Sequence, residues 1–264
     1  YKAPQEGKYY RIQNLNYKTY INEGITSNGL GCEGLNEDKL AQYWTLVKIG
    51  SGFALQNVCT QRYVVRQGGA LSRQYTTQEA KPGQGFTCKR TADDTNFTYY
   101  IVDNGGVGLH CDQGSNVVGW HTEGLSSSTW GFEEVELTDE FIQKGREELN
   151  AFKNLVANIS TYNTALANLF QDKACTTLKE EIQALTDEQL EANTDYASLP
   201  EAIKAMVKKV KNNTWQIYER ANGYSRGFEK FFRVRDDYKV YSNYQKMSWN
   251  EYTGMSNAFG KLSG

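Results

Sequence analysis

Proline and histidine are almost missing from this chain, with three prolines in 264 residues and two histidines, His110 and His121. The five cysteines, Cys32, Cys59, Cys88, Cys111 and Cys175, contain no Cys-x-x-Cys pair, so a Cys/His metal centre has no recognisable spacing. An odd cysteine count leaves at least one thiol unpaired within the chain. The cysteines read as small, reduced core residues, with one disulfide left open. No apolar run approaches the roughly 18 residues of a membrane helix. Net charge is −2 and no basic stripe stands out, which removes the electrostatic basis for nucleic-acid binding. Gly-x-Ser-x-Gly, a P-loop and a dinucleotide fingerprint are all missing. The acids occur as neighbours, Asp93-Asp94, Glu133-Glu134, Glu180-Glu181 and Asp236-Asp237. Adjacent carboxylates point apart, whereas a glycosidase opposes two across roughly 5–10 Å. The expectation is a non-enzyme with no cofactor and no metal. Tyr1 follows no Met and no signal peptide, as in a mature form trimmed of its targeting segment or an excised piece. Asn96-Phe97-Thr98 and Asn158-Ile159-Ser160 fit the glycosylation sequon, which has meaning only in a eukaryotic secreted protein.

Glycine is unevenly spread. Of the 24 glycines, 18 lie at or before Gly131, and after Thr138 Ala, Glu, Lys, Leu and Asn take over. That shift places a boundary near 137 between a turn-rich β half and a helical half. In the β half a short beat recurs: Gln42-Tyr43-Trp44, Gln84-Gly85-Phe86 and Ser128-Thr129-Trp130, nearly evenly spaced. Each follows a strand-like run, namely 9–14, 52–57 and 99–104. Second strands are expected at 17–21, 62–65 and 108–112, after turns such as Asn104-Gly105-Gly106 that permit positive φ. Without gaps, Tyr20, Tyr63 and Leu109 fall at one equivalent position and are expected to fill the same core slot. Four strands per repeat give twelve, and three such units closing a six-stranded barrel with a hairpin cap make a β-trefoil.

Repeat three, Gly108-Leu109-His110-Cys111-Asp112 with Val117-Val118-Gly119-Trp120 and Ser127-Ser128-Thr129-Trp130, resembles one repeat of a ricin-type β-trefoil lectin. That family carries a Gln-x-Trp signature near the end of each repeat. Gln42 and Trp44 keep it, Gln84 and Phe86 weaken it, and repeat three keeps only Trp130. The resemblance covers residues 7–135. It implies a sugar site made of an aspartate after the second strand, an aromatic ring and a polar pair before the signature. By position these become Asp112, Trp120, Ser127 and Ser128, with His121 beside the ring. A carboxylate accepts hydrogen bonds from vicinal hydroxyls, and an indole packs on the C–H face of a pyranose. The serines stand where amides are usual, and Val118 where Gln is usual. Repeat one offers Asn22 or Glu23 at the Asp position and no ring near Cys32. Repeat two offers Arg66 and Tyr75. At most one working site is expected, in repeat three.

After Thr138, apolar residues at spacings of three and four predict one amphipathic helix over 139–171. Thr177-Leu178-Lys179-Glu180, Thr186-Asp187-Glu188-Gln189 and Ser198-Leu199-Pro200-Glu201 match capping boxes that open further helices. The fold class expected is therefore multi-domain β + α: a β-trefoil over 1–137, a small antiparallel helical bundle over 138–230, and an aromatic-rich lead-in to a further domain over 231–264. In arrangement this is similar to the N-terminal part of large bacterial secreted or surface proteins, including enhancin-like metallopeptidases that act on glycoproteins. No His-Glu-x-x-His is present, so such an activity would lie outside these residues. The expectation is a secreted or cell-surface, monomeric carbohydrate-binding module whose partner is a glycan or glycoprotein. The alternatives are a structural or protein-docking spacer with a degenerate trefoil, and a glycan hydrolase.

Overall fold

A computed structural model describes residues 1–24, 28–69, 71–92, 95–158, 161, 162, 165, 184–201, 204, 207 and 208. They fall in two compact units, residues 1–149 and 150–264.

The first unit holds twelve strands: β1 (Tyr9–Asn14), β2 (Tyr20–Glu23), β3 (Leu30–Glu33), β4 (Trp44–Ile49), β5 (Gly52–Asn57), β6 (Tyr63–Arg66), β7 (Tyr75–Gln78), β8 (Thr87–Arg90), β9 (Thr98–Val102), β10 (Gly108–Asp112), β11 (Asn116–Trp120) and β12 (Trp130–Val135). Six of them close a barrel, because β1 pairs with β4, β4 with β5, β8 with β9, β9 with β12, and β12 with β1. The remaining seam, β5 to β8, is held by Phe53 and Phe86, which exchange N–H···O bonds of 2.9 and 2.6 Å. Glycine makes that seam possible. A Cβ on Gly52 would stand 2.4 Å from the Phe86 carbonyl oxygen, and one on Gly85 would stand 2.8 Å from the Phe53 nitrogen. The other six strands form three hairpins, β2–β3, β6–β7 and β10–β11. They join in a ring through Asn116 opposite Gly31, Gly29 opposite Thr76, and Gln74 opposite Val118. A six-stranded barrel capped by a triangle of hairpins is a β-trefoil, and the topology alone establishes it.

Side-chain alternation sends one face of every strand into a common core of Tyr10, Ile12, Trp44, Leu46, Leu55, Tyr75, Phe86, Ile101, Trp130 and Phe132 among others. The signature tryptophans occupy its centre. Trp44 Nε1 donates to the Ile21 carbonyl at 3.0 Å and Trp130 Nε1 to the Leu109 carbonyl at 2.9 Å. The Phe86 ring has no N–H to offer in repeat two.

These bonds correct the repeat alignment. The shared core slot is Ile21, Val64 and Leu109, each about 1 % exposed or less, and not Tyr20, Tyr63 and Leu109. The cause is a shorter turn in repeat three. In repeats one and two a five-residue turn is closed by Lys18 N–H to Asn14 C=O and by Gln61 N–H to Asn57 C=O, with Lys18 and Gln61 at φ of 56° and 60°. In repeat three, Gly106 N–H reaches Asp103 C=O one residue sooner. The longer turn also takes Tyr17 out of the second strand, which starts at Tyr20.

Helix α1 (Asp139–Ala157) opens with Asp139 and Glu140, where acidic residues favour the helix dipole. Its first half belongs to the first unit. Arg146 donates twice to the Val58 carbonyl, at 3.1 and 3.0 Å, and Phe141 meets Tyr43 edge-on. In the second unit, α2 (Asp187–Ala192) carries the capping box read from sequence, Thr186 with Gln189. A further turn of helix, α3 (Thr194–Ala197), is capped by Asn193, a residue not singled out in the sequence. Residues 166–183 and 209–264 lie outside the described residues. They include the Thr177 capping box, Cys175, much of the expected bundle and the aromatic stretch.

Candidate functional site

Hairpin β10–β11 has two faces. Leu109, Cys111 and Val117 point to the core. The cross-strand pairs Gly108 with Trp120, His110 with Val118, and Asp112 with Asn116 share the other face. The hairpin thus sets the two sequence candidates, Asp112 and Trp120, on one surface with His110 between them.

Asp112 is exposed, and its side chain makes no hydrogen bond or ion pair among the described residues. The tight turn after it is stabilised by its backbone instead, since Ser115 N–H and Oγ both donate to the Asp112 carbonyl. Trp120 is half-buried between two imidazoles, 6.2 Å from the His110 ring and 5.6 Å from the His121 ring.

His110 is not among the sequence candidates, although it shares this face with Asp112 along one strand. Its Nδ1 lies 2.8 Å from Ser128 Oγ. That same hydroxyl donates to the His121 carbonyl at 2.8 Å. Burial holds the His110 ring below the usual histidine pKa, and the Asp112 carboxylate opposes this.

The two serines are spent differently from the amides they replace. Ser128 is buried and does the work of Gln42, which in repeat one ties the equivalent loop through Nε2 to the Gly34 carbonyl at 2.9 Å. Ser127 receives Asn16 Nδ2 at 3.0 Å on its hydroxyl and Asn14 Nδ2 at 2.9 Å on its carbonyl.

The corrected alignment changes which residues match in the other repeats. Gly24 and Gln67, not Glu23 and Arg66, stand where Asp112 stands. Glu23 is buried at 1 % exposure, and its carboxylate receives the Thr60 and Thr77 hydroxyls at 2.6 Å each. Arg66 pairs with Asp103 at 2.9 Å, and the buried Tyr75 hydroxyl donates to the same oxygen at 3.1 Å. Tyr75 is core, matching Val117, so it offers no ring; Gln78 takes the ring position, opposite Tyr63. In repeat one the ring position is Glu33, opposite Tyr20. It is plugged, because the buried Lys39 ammonium lies 2.6 Å from Glu33 and Asn22 Nδ2 donates to it at 3.3 Å. Repeat two lacks the 3₁₀ turn that Leu40–Gln42 and Ser126–Ser128 form in the others. A cavity of about 440 Å³ opens there, lined by Arg66, Gln84, Asp103 and Asn104. Among the described residues no group of three or more His, Cys, Asp or Glu is placed to hold a metal ion.

Neither a protein-family model nor a curated protein sequence matches this chain. Solved structures do. A Macrolepiota procera ricin B-like lectin in complex with lactose aligns with 51 % of this chain and 100 % of its own, at 17 % identity and TM-score 0.46. A designed threefold-symmetric protein, ThreeFoil, aligns with 49 % of this chain and 99 % of its own, at 15 % identity and TM-score 0.42. An endo-β-galactosidase from Clostridium perfringens aligns over 33 % of its length with 49 % of this chain, at 13 % identity and TM-score 0.43. At these identities the likeness is one of fold.

Proposed function

We infer that residues 1–137 are a carbohydrate-binding module, with a single site on the outward face of β10–β11. The observation that carries this is the contrast between the three hairpins. Repeat one fills its site with the Glu33–Lys39 ion pair, and repeat two presents glutamines. Repeat three leaves a carboxylate without a partner among the described residues at one end of the hairpin face, and a half-buried indole at the other, with His110 between them. A carboxylate and an aromatic platform about 13 Å apart along one face suit the hydroxyls of one sugar and the C–H face of another in the same glycan. The module would hold a larger secreted or surface protein to a glycan or glycoprotein.

The test is an array of glycans ending in galactose, N-acetylglucosamine, mannose, fucose or sialic acid, probed with the whole chain. Binding that disappears in both Asp112→Ala and Trp120→Ala, with the trefoil still folded, supports the reading. An array without binding at any pH rejects it in favour of a structural or protein-docking trefoil.

A further inference from the structure

We propose that His110 is a ligand-contacting residue of this site, presenting an unprotonated Nε2 that accepts a hydroxyl hydrogen bond, so that acid weakens binding. The inference rests on the carbohydrate reading above, but its basis is separate. The Ser128 hydroxyl has one hydrogen, and a carbonyl can only accept, so the 2.8 Å contact with His121 C=O consumes that hydrogen. The 2.8 Å contact with His110 is then satisfied only when Nδ1 carries a proton and donates to Ser128 Oγ. Neutral His110 is thereby fixed as the Nδ1–H tautomer, with its lone pair on Nε2. Nε2 has no hydrogen-bond partner among the described residues, and the half-buried ring lies between Asp112 and Trp120 on the outward face. A buried serine orienting an imidazole toward a solvent-facing lone pair makes a preset acceptor. It stands where a polyhydroxylated ligand resting on Trp120 and reaching for Asp112 would lie.

The groups around His110 on the elements packed against β10 are few. Its own strand supplies Asp112, which favours the charged ring. Strand β11 supplies Asn116, Val118 and Trp120, and the segment after it His121 and Glu123. Strand β9 supplies Tyr100, whose hydroxyl receives the Gly124 N–H, and the 3₁₀ turn supplies only serines. Burial already disfavours the imidazolium. A sugar laid over the ring removes more water and needs the lone pair, so the two effects act in the same direction.

Two isosteres separate a ligand contact from a structural role. In His110→Asn the amide N–H replaces Nδ1–H toward Ser128 and no acceptor reaches the Nε2 position. In His110→Gln the amide oxygen reaches that position and cannot titrate. The glycan array is read at pH 8 and pH 5. Nitrogen NMR of the ligand-free chain reads the tautomer. The expected results are an Nδ1–H tautomer for His110 and wild-type signals several-fold weaker at pH 5 than at pH 8. His110→Gln signals should be insensitive to that change, and His110→Asn signals several-fold weaker at both. An Nε2–H tautomer, equal wild-type binding at the two pH values, or wild-type binding by His110→Asn overturns the inference and leaves the carbohydrate reading standing. No binding at either pH overturns both, and the NMR tautomer then records only a structural histidine.

Discussion

Replacing Glu23 by alanine should cost this protein stability although Glu23 touches no candidate ligand site. The carboxylate is fully buried and receives the Thr60 and Thr77 hydroxyls at 2.6 Å each, with Arg62 Nε 3.9 Å away. Thr60 follows β5 and Thr77 lies in β7, so one side chain of repeat one ties together the two arms of the β6–β7 hairpin of repeat two. A hydrogen bond to a charged group contributes about 1.5–3 kcal/mol. Releasing a buried charge to water offsets part of the loss of two such bonds, but the two hydroxyls left without their acceptor add to it. Breaking a buried charged pair costs roughly 3–5 kcal/mol, and about 3 kcal/mol is the expected net here. For a unit of this size that corresponds to a fall in Tm of about 6–12 °C. Glu23→Gln keeps the shape and one acceptor oxygen and should lose about half as much. Urea unfolding followed by tryptophan fluorescence, with Trp44 and Trp130 buried as reporters, measures both variants. A loss below about 0.5 kcal/mol for Glu23→Ala would show that the buried network contributes no net stability, a known outcome for some buried ion pairs.

Asp112→Ala should weaken glycan binding by roughly ten- to a hundredfold by titration calorimetry, from about 1.5–3 kcal/mol for one charge-assisted bond at 1.4 kcal/mol per decade. Trp130→Phe should cost about 2 kcal/mol in denaturant melts, because the Leu109 carbonyl loses its donor in a buried site. Folding should weaken in acid through His110. Its folded pKa lies below its unfolded value, so the contribution is present above the unfolded pKa and disappears as pH falls through the folded one; His110→Gln should flatten that part of the stability–pH curve. Burial and Glu133 push the Tyr20 phenol up to about 12. Its stabilising contribution is intact below its ordinary pKa near 10 and is lost between there and about 12, so tyrosinate absorbance in the folded protein should include one late-ionising component that Tyr20→Phe removes.

The β-trefoil was legible because each repeat ends in a large aromatic at even spacing, and those aromatics are the core. Trp44, Phe86 and Trp130 are all buried. The registration between repeats was not legible to the residue. A turn one residue shorter at Asp103 shifts everything after it, and periodic patterns do not reveal where a gap falls. Asp112 and Trp120 are candidates because their repeat resembles a known pattern, and the hairpin sets both on one face. The same one-residue slip misplaces Glu23 and Arg66, and Tyr75, offered by its position, is buried beside Phe86. His110 escaped because its role depends on Ser128, 18 residues further along the chain. Hydrogen bonds across that distance leave no local spacing to read.

Strands β1 and β12 lie side by side over their whole length, from Tyr9 opposite Val135 to Asn14 opposite Trp130. The chain therefore enters and leaves the trefoil at neighbouring points. The last seam of the barrel closes only after residue 135 has been made, so the first repeat must wait, unpaired along one edge, for the third. The same adjacency lets the ends be moved. Joining residue 9 to residue 135 through a short linker and opening the chain between repeats would keep every strand pair while changing their order in synthesis, which makes this trefoil suited to circular permutation or to insertion as a unit within a loop of another protein.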